Sequence, residues 1–225
     1  MVPGDLNIKP DTAAGAVRQV ILLVTPANDR LGAYGTKLFE NFPSFNRPTL
    51  VCRMEDAQTY DRLLVEHSID PLVTEVALIF FGHGGADRLI SYYDSKSNQP
   101  ANPSAFFDLS HVNSGPRYLF AFCSSAAAKL GRAYRELTTG CTFVGFDDEI
   151  GFVLKDGDYL ECWRKIIYEV TSAMFATTDV EALETSVSDL YQEALSFFSQ
   201  QKHQYSTLMR IFLRQQMQVI QYIRT

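Results

Sequence analysis

The 225-residue sequence has only four cysteines, Cys52, Cys123, Cys141 and Cys162, and no two of them form a CxxC pair. Closely spaced cysteine pairs build zinc sites and redox dithiols, so neither is indicated. In a reducing compartment all four stay free thiols. Clusters of lysine and arginine are also missing. With 20 basic against 26 acidic residues and a net charge of -6, the chain lacks the concentrated positive surface that nucleic-acid binding needs. No apolar run reaches the roughly 18 to 20 residues that cross a bilayer. Residues 1–16 lack the basic and apolar segments of a signal peptide. A cytoplasmic protein with neither nucleic acid nor membrane as partner is expected. There is no internal repeat and no low-complexity tract.

What remains is an ordinary globular composition, 46% hydrophobic and 20% charged, in a chain long enough for one ample core. Residues 1–16, rich in Gly, Pro, Ala and Asp, read as a flexible leader. Strand and helix then alternate up to residue 174, the pattern of an α/β fold with a mostly parallel sheet. Strands are expected at 17–25, 48–53, 76–82, 118–123 and 141–146, with a short hairpin strand at 89–93. Helices are expected around 36–42 and over 56–67, 124–137 and 159–174, with one helical turn in 106–112. The polar stretch 94–103 reads as a mobile loop. Residues 175–225 read as a helical extension packed on the domain, two helices at 180–201 and 205–223 with no glycine or proline.

Two apolar runs end in a reactive residue: Val76-Ala77-Leu78-Ile79-Phe80-Phe81 leads through Gly82 to His83, and Tyr118-Leu119-Phe120-Ala121-Phe122 leads to Cys123. Runs without alternation suit strands covered on both faces, and in open parallel sheets the functional crevice lies at the carboxyl ends of the strands. If the two strands are parallel neighbours, an imidazole and a thiol meet there. Histidine can take the thiol proton, leaving a thiolate nucleophile, and then protonate a leaving amine. The amino-terminal end of a helix directly after Cys123 favours thiolate. Backbone N–H groups at Gly84 and Cys123 could face a substrate carbonyl oxygen.

A hydrophobic strand ending in His-Gly, followed about 40 residues later by one ending in Ala-x-Cys, resembles the caspase-like cysteine peptidases. The matching segments are FFGHGG at 80–85 and LFAFCSSA at 119–126, and the likeness spans residues 17–174. It is nearer to bacterial CHAT and other caspase-like domains than to animal caspases, whose QACRG pentapeptide is absent, so specificity for aspartate is not carried over. The resemblance implies a three-layer α/β sandwich, with His83 as general base, Cys123 as nucleophile, Gly84 as oxyanion donor, and neither metal nor cofactor. Some members cleave after Arg or Lys and hold that side chain with an acidic residue. Asp147 and Asp148, at the end of the fifth strand, are the candidates for substrate binding. The resemblance further implies cleavage of a partner protein in bacterial defence or cell death, such as a gasdermin-like pore former. It also allows a regulatory partner, contacted by the C-terminal helices, and a gate or self-cleavage site at 94–103 that includes Lys96.

Two other readings compete. An esterase could use His-Gly-Gly at 83–85 as an oxyanion loop, but the Gly-x-Ser-x-Gly elbow it requires does not occur. A catalytically silent docking or signalling module of the same fold keeps both residues without using them. The remaining residues have plainer roles. Cys52, Cys141 and Cys162 read as small core residues, His67, His111 and His203 as surface or structural, and Asp147-Asp148-Glu149 by default as a solvated loop.

Overall fold

The computed structural model describes residues 19–24, 30–45, 47–53, 59–66, 69, 76–90 and 105–225. In chain order the elements are β1 (Gln19–Val24), α1 (Arg30–Phe39), β2 (Thr49–Arg53), α2 (Thr59–Glu66), β3 (Val76–Phe81), β4 (Gly84–Gly85), β5 (Arg88–Ile90) and β6 (Ala105–Asp108). A 3-10 turn at Leu109–Ser114 leads into β7 (Tyr118–Phe122), a π-turn (Ala127–Gly131), α3 (Arg132–Leu137) and β8 (Thr142–Phe146). The chain closes with α4 (Asp158–Ala176), α5 (Val180–Ser199), α6 (Gln204–Val219) and β9 (Ile220–Arg224).

Six strands form one sheet in the order β2-β1-β3-β7-β8-β9, and β4, β5 and β6 form a small antiparallel sheet beside it. The first five strands run parallel; only β9 is antiparallel, paired with β8 from Thr142↔Arg224 to Phe146↔Ile220. Every residue of β3 and β7 is buried, which is why their sequences do not alternate. Successive side chains still point to opposite faces. Ala77, Ile79, Phe81, Phe120 and Phe122 pack beneath α1 and α4, while Leu78, Phe80, Leu119, Ala121 and Cys123 pack toward α2 and the helix that follows β7.

Helix α1 lies close on the first of these faces. A methyl group on Gly35 would collide with Val24 Cγ2 and lie 2.7 Å from Phe81 Cδ1. Arg164 of α4 ties down the other end of α1, donating to the carbonyls of Leu38 at 2.9 Å and Glu40 at 2.7 Å, so a cation occupies the negative end of the helix. Trp163, fully buried, donates through Nε1 to the Val153 carbonyl at 3.2 Å. The hairpin of α5 and α6 is joined by Tyr191, whose hydroxyl donates to Gln216 Oε1 at 2.9 Å. Gln216 Nε2 in turn donates to the Gly151 carbonyl at 3.0 Å. Among the described residues no helix is long and apolar enough to cross a membrane.

Several expectations shift. The helix expected at 36–42 starts earlier, at Arg30, because close packing against β1 and β3 outweighs the low helix propensity of Gly32 and Gly35. Residues 105–108 form β6, and the helical turn starts only after them; Asp108 caps it by accepting from Ser110 N–H at 2.8 Å. The helix expected to run to residue 223 ends at Val219. Ile220–Arg224 instead pairs with β8, which would otherwise be an open edge, so the end of the described chain belongs to the central sheet. The mobile loop expected at 94–103 and His67 lie outside the described residues.

Candidate functional site

Strands β3 and β7 are parallel neighbours, in register from Ala77↔Tyr118 to Phe81↔Phe122. The residues that follow are Gly82 and His83 on one strand and Cys123 on the other, at the carboxyl edge of the sheet. After His83 the chain turns into the β4–β5 hairpin, closed by a bond from Ile90 N–H to the His83 carbonyl at 3.1 Å. This hairpin folds over Cys123. A Cβ on Gly84 would run into Cys123 Sγ and lie 2.9 Å from the Ser124 carbonyl oxygen. The residue beside the histidine therefore lies directly against the sulfur, and only glycine fits there.

The hairpin is anchored to the helix that follows the thiol. The backbone N–H groups of Lys129 and Leu130 both donate to the Ala86 carbonyl at 2.9 Å. The helix accommodates this outside acceptor as the π-turn over Ala127–Gly131. Directly after Cys123, Ser124 and Ser125 form a turn, with Ser125 in the left-handed region at φ 61°. The turn is stitched to the loop after β8: Ser125 N–H donates to the Asp148 carbonyl at 3.0 Å and Ile150 N–H to Ser124 Oγ at 3.2 Å. The helix thus starts later than the expected residue 124.

Cys123 is completely buried, and burial pushes its thiol well above the usual cysteine range. The thiolate expected from a neighbouring helix end is not what this setting favours: desolvation opposes charge and dominates here. His83 is half-buried at the same edge.

Asp147, Asp148 and Glu149 are exposed, as a solvated loop would be. Asp148 turns its carboxylate onto the Glu149 N–H at 2.7 Å. Asp147 lines a cavity with Arg132 and Arg135 of α3. Burial raises its carboxyl pKa, while those two arginines pull it down. Two arginines lining the same cavity as this one carboxylate leave it net cationic, a poor receptor for the basic side chain of a substrate. The arginines were not singled out from the sequence, although their i, i+3 spacing puts them on one helix face.

The other histidines have local structural roles. His111 Nδ1 lies 3.0 Å from Asp108 Oδ1 in the cap of the 3-10 turn, and exposed His203 caps α6 by accepting from Tyr205 N–H at 3.3 Å. Cys52, Cys141 and Cys162 are half-buried at the margins of the core, and among the described residues none of them forms a disulfide. Among the described residues no group of three or more His, Cys, Asp or Glu side chains is placed to hold a metal ion. No family model, curated protein or solved structure matches the chain.

Proposed function

We propose that the protein is a cysteine hydrolase of the caspase-like type, with Cys123 as nucleophile, His83 as general base and Gly84 as backbone oxyanion donor. Its helices, on both faces of the sheet, form the outer layers of a caspase-like three-layer sandwich. The observation that carries this reading is the contact of Gly84 with Cys123 Sγ at the ends of two adjacent parallel strands. It brings the histidine turn and the thiol together at the edge where open α/β sheets hold their ligands. Attack by Cys123 on a peptide carbonyl, with proton transfer through His83 to the leaving amine, is the chemistry this pairing supports.

Because Cys123 is sealed beneath the hairpin, substrate entry requires residues 84–90 to lift from the π-turn. Lifting rehydrates the sulfur and removes the desolvation that keeps it protonated. The proposed substrate is a partner protein in a bacterial defence or cell-death pathway, a gasdermin-like pore former being the example the resemblance supplies. Asp147 and Asp148 are assigned no part in selecting Arg or Lys, since two arginines share the cavity with Asp147 and the Asp148 carboxylate accepts from the Glu149 N–H.

The complete burial of Cys123 favours a second reading, a catalytically silent docking module. A panel of fluorogenic peptides turned over by wild type and the Cys123→Ala variant separates the two. Cleavage lost in the variant supports the hydrolase; equal signals from both proteins sink it.

A further inference from the structure

We propose that the cavity between the π-turn, α3, β9 and Asp147 just after β8 is a binding site for a small organic oxyanion, whose carboxylate or phosphate group is held by Arg132 and Arg135. The cavity has a volume of about 260 Å³, at or just under the roughly 300–1,000 Å³ of drug-sized sites, and suits a compact ligand. Arg132 and Arg135 line it from α3, three residues apart and therefore on one face. Among the described residues neither makes a hydrogen bond or an ion pair that would occupy its donors. Planar guanidinium forks bind carboxylate and phosphate oxygens in pairs of parallel hydrogen bonds.

The rest of the lining agrees with that ligand. Asp147 contributes one negative charge against two positive ones and leaves the cavity net cationic. It is not in ion-pair contact with either arginine, so the guanidinium groups keep their donors for a guest. Gln221 of β9 supplies a further amide, and Ala127 and Ile223 give apolar walls for a small carbon skeleton. Ala127 lies four residues past Cys123, yet the proposal does not depend on any chemistry at that thiol.

The test is isothermal titration of the full chain with inorganic phosphate, pyrophosphate and citrate. Wild type is expected to bind at least one probe saturably. Preference for the phosphates or for citrate then names the source of the oxyanion. Arg132→Ala and Arg135→Ala should each weaken binding roughly tenfold, the scale of one lost charge-assisted pair. Asp147→Asn should strengthen it roughly threefold by removing a competing charge. Both arginines and Asp147 are exposed, so the fold tolerates these changes, and the opposite sign of the aspartate variant separates site chemistry from general damage. No saturable binding with any probe, or arginine variants that bind as wild type does, would overturn the proposal.

Discussion

Replacing Gly84 with alanine probes the centre of the molecule. The new methyl would meet Cys123 Sγ, approach the Ser124 carbonyl oxygen to 2.9 Å and lie 3.1 Å from Cys123 Cβ. Two of these three neighbours are backbone or near-backbone atoms held by the Ser125–Asp148 and Ser124–Ile150 bonds, so they have little room to give. Overpacking of this kind costs about 1–3 kcal/mol. For a chain of this length each kcal/mol corresponds to about 2–4 °C in melting temperature, so Gly84→Ala should melt roughly 2–12 °C below wild type. Cys123→Ala alone loses a small buried group, about 1 kcal/mol. Combined with Gly84→Ala it also removes the sulfur that the new methyl strikes. A double-mutant cycle by urea unfolding should therefore show a favourable coupling of about 1 kcal/mol, the residual cost coming from Ser124. Additive effects, or a Gly84→Ala protein that melts with wild type, would refute the contact and with it the geometric basis of the proposed site.

Stability should fall at alkaline pH. Burial raises the Cys123 thiol in the folded state and pushes Cys162 up to about 12, so the fold keeps protons that the unfolded chain releases from about pH 8.5. The stabilisation is complete below that pH and declines above it by about 1.4 kcal/mol per pH unit per thiol. Cys123→Ala should lower the slope between pH 9 and 10 by roughly a third in unfolding titrations, because Cys162 and the tyrosines raised by burial, Tyr34, Tyr60, Tyr134, Tyr191 and Tyr222, supply the rest; an unchanged slope would count against a buried neutral thiol. Tyr191→Phe leaves the buried Gln216 oxygen without its donor and should cost about 1–3 kcal/mol by urea unfolding. Truncation after Val219 removes β9 and bares the edge of β8; loss of soluble yield and of thermal stability is expected, and a wild-type melting curve would show that β9 is dispensable.

The parts of this fold legible in the sequence are those where burial leaves no choice. The runs 76–81 and 118–122 read as central strands because helices cover both of their faces, and their register brings His83 and Cys123 to the same edge. The helix over Asp158–Ala176 was legible from the spacing of Trp163, Ile166, Ile167 and Val170. Strand β9 was not, since Ile220-Gln221-Tyr222-Ile223 continues α6 without a glycine or proline and suits a helix equally well; only the open edge of β8 decides its state. The turn at Ser124–Ser125 was hidden for a similar reason, because its conformation is set by bonds to residues 148 and 150, far along the chain. The closure over Cys123 depends on the Ala86 carbonyl, a backbone group with no sequence signature.

Pairing of Cys123 with His83 is tested by a panel of electrophilic peptides carrying an acyloxymethyl ketone, with the adduct located by peptide mass spectrometry. A single covalent adduct on Cys123 is expected, lost in the His83→Ala variant, while Cys52, Cys141 and Cys162 remain unmodified. Adducts spread over those other thiols, or labelling of Cys123 indifferent to His83, would contradict it.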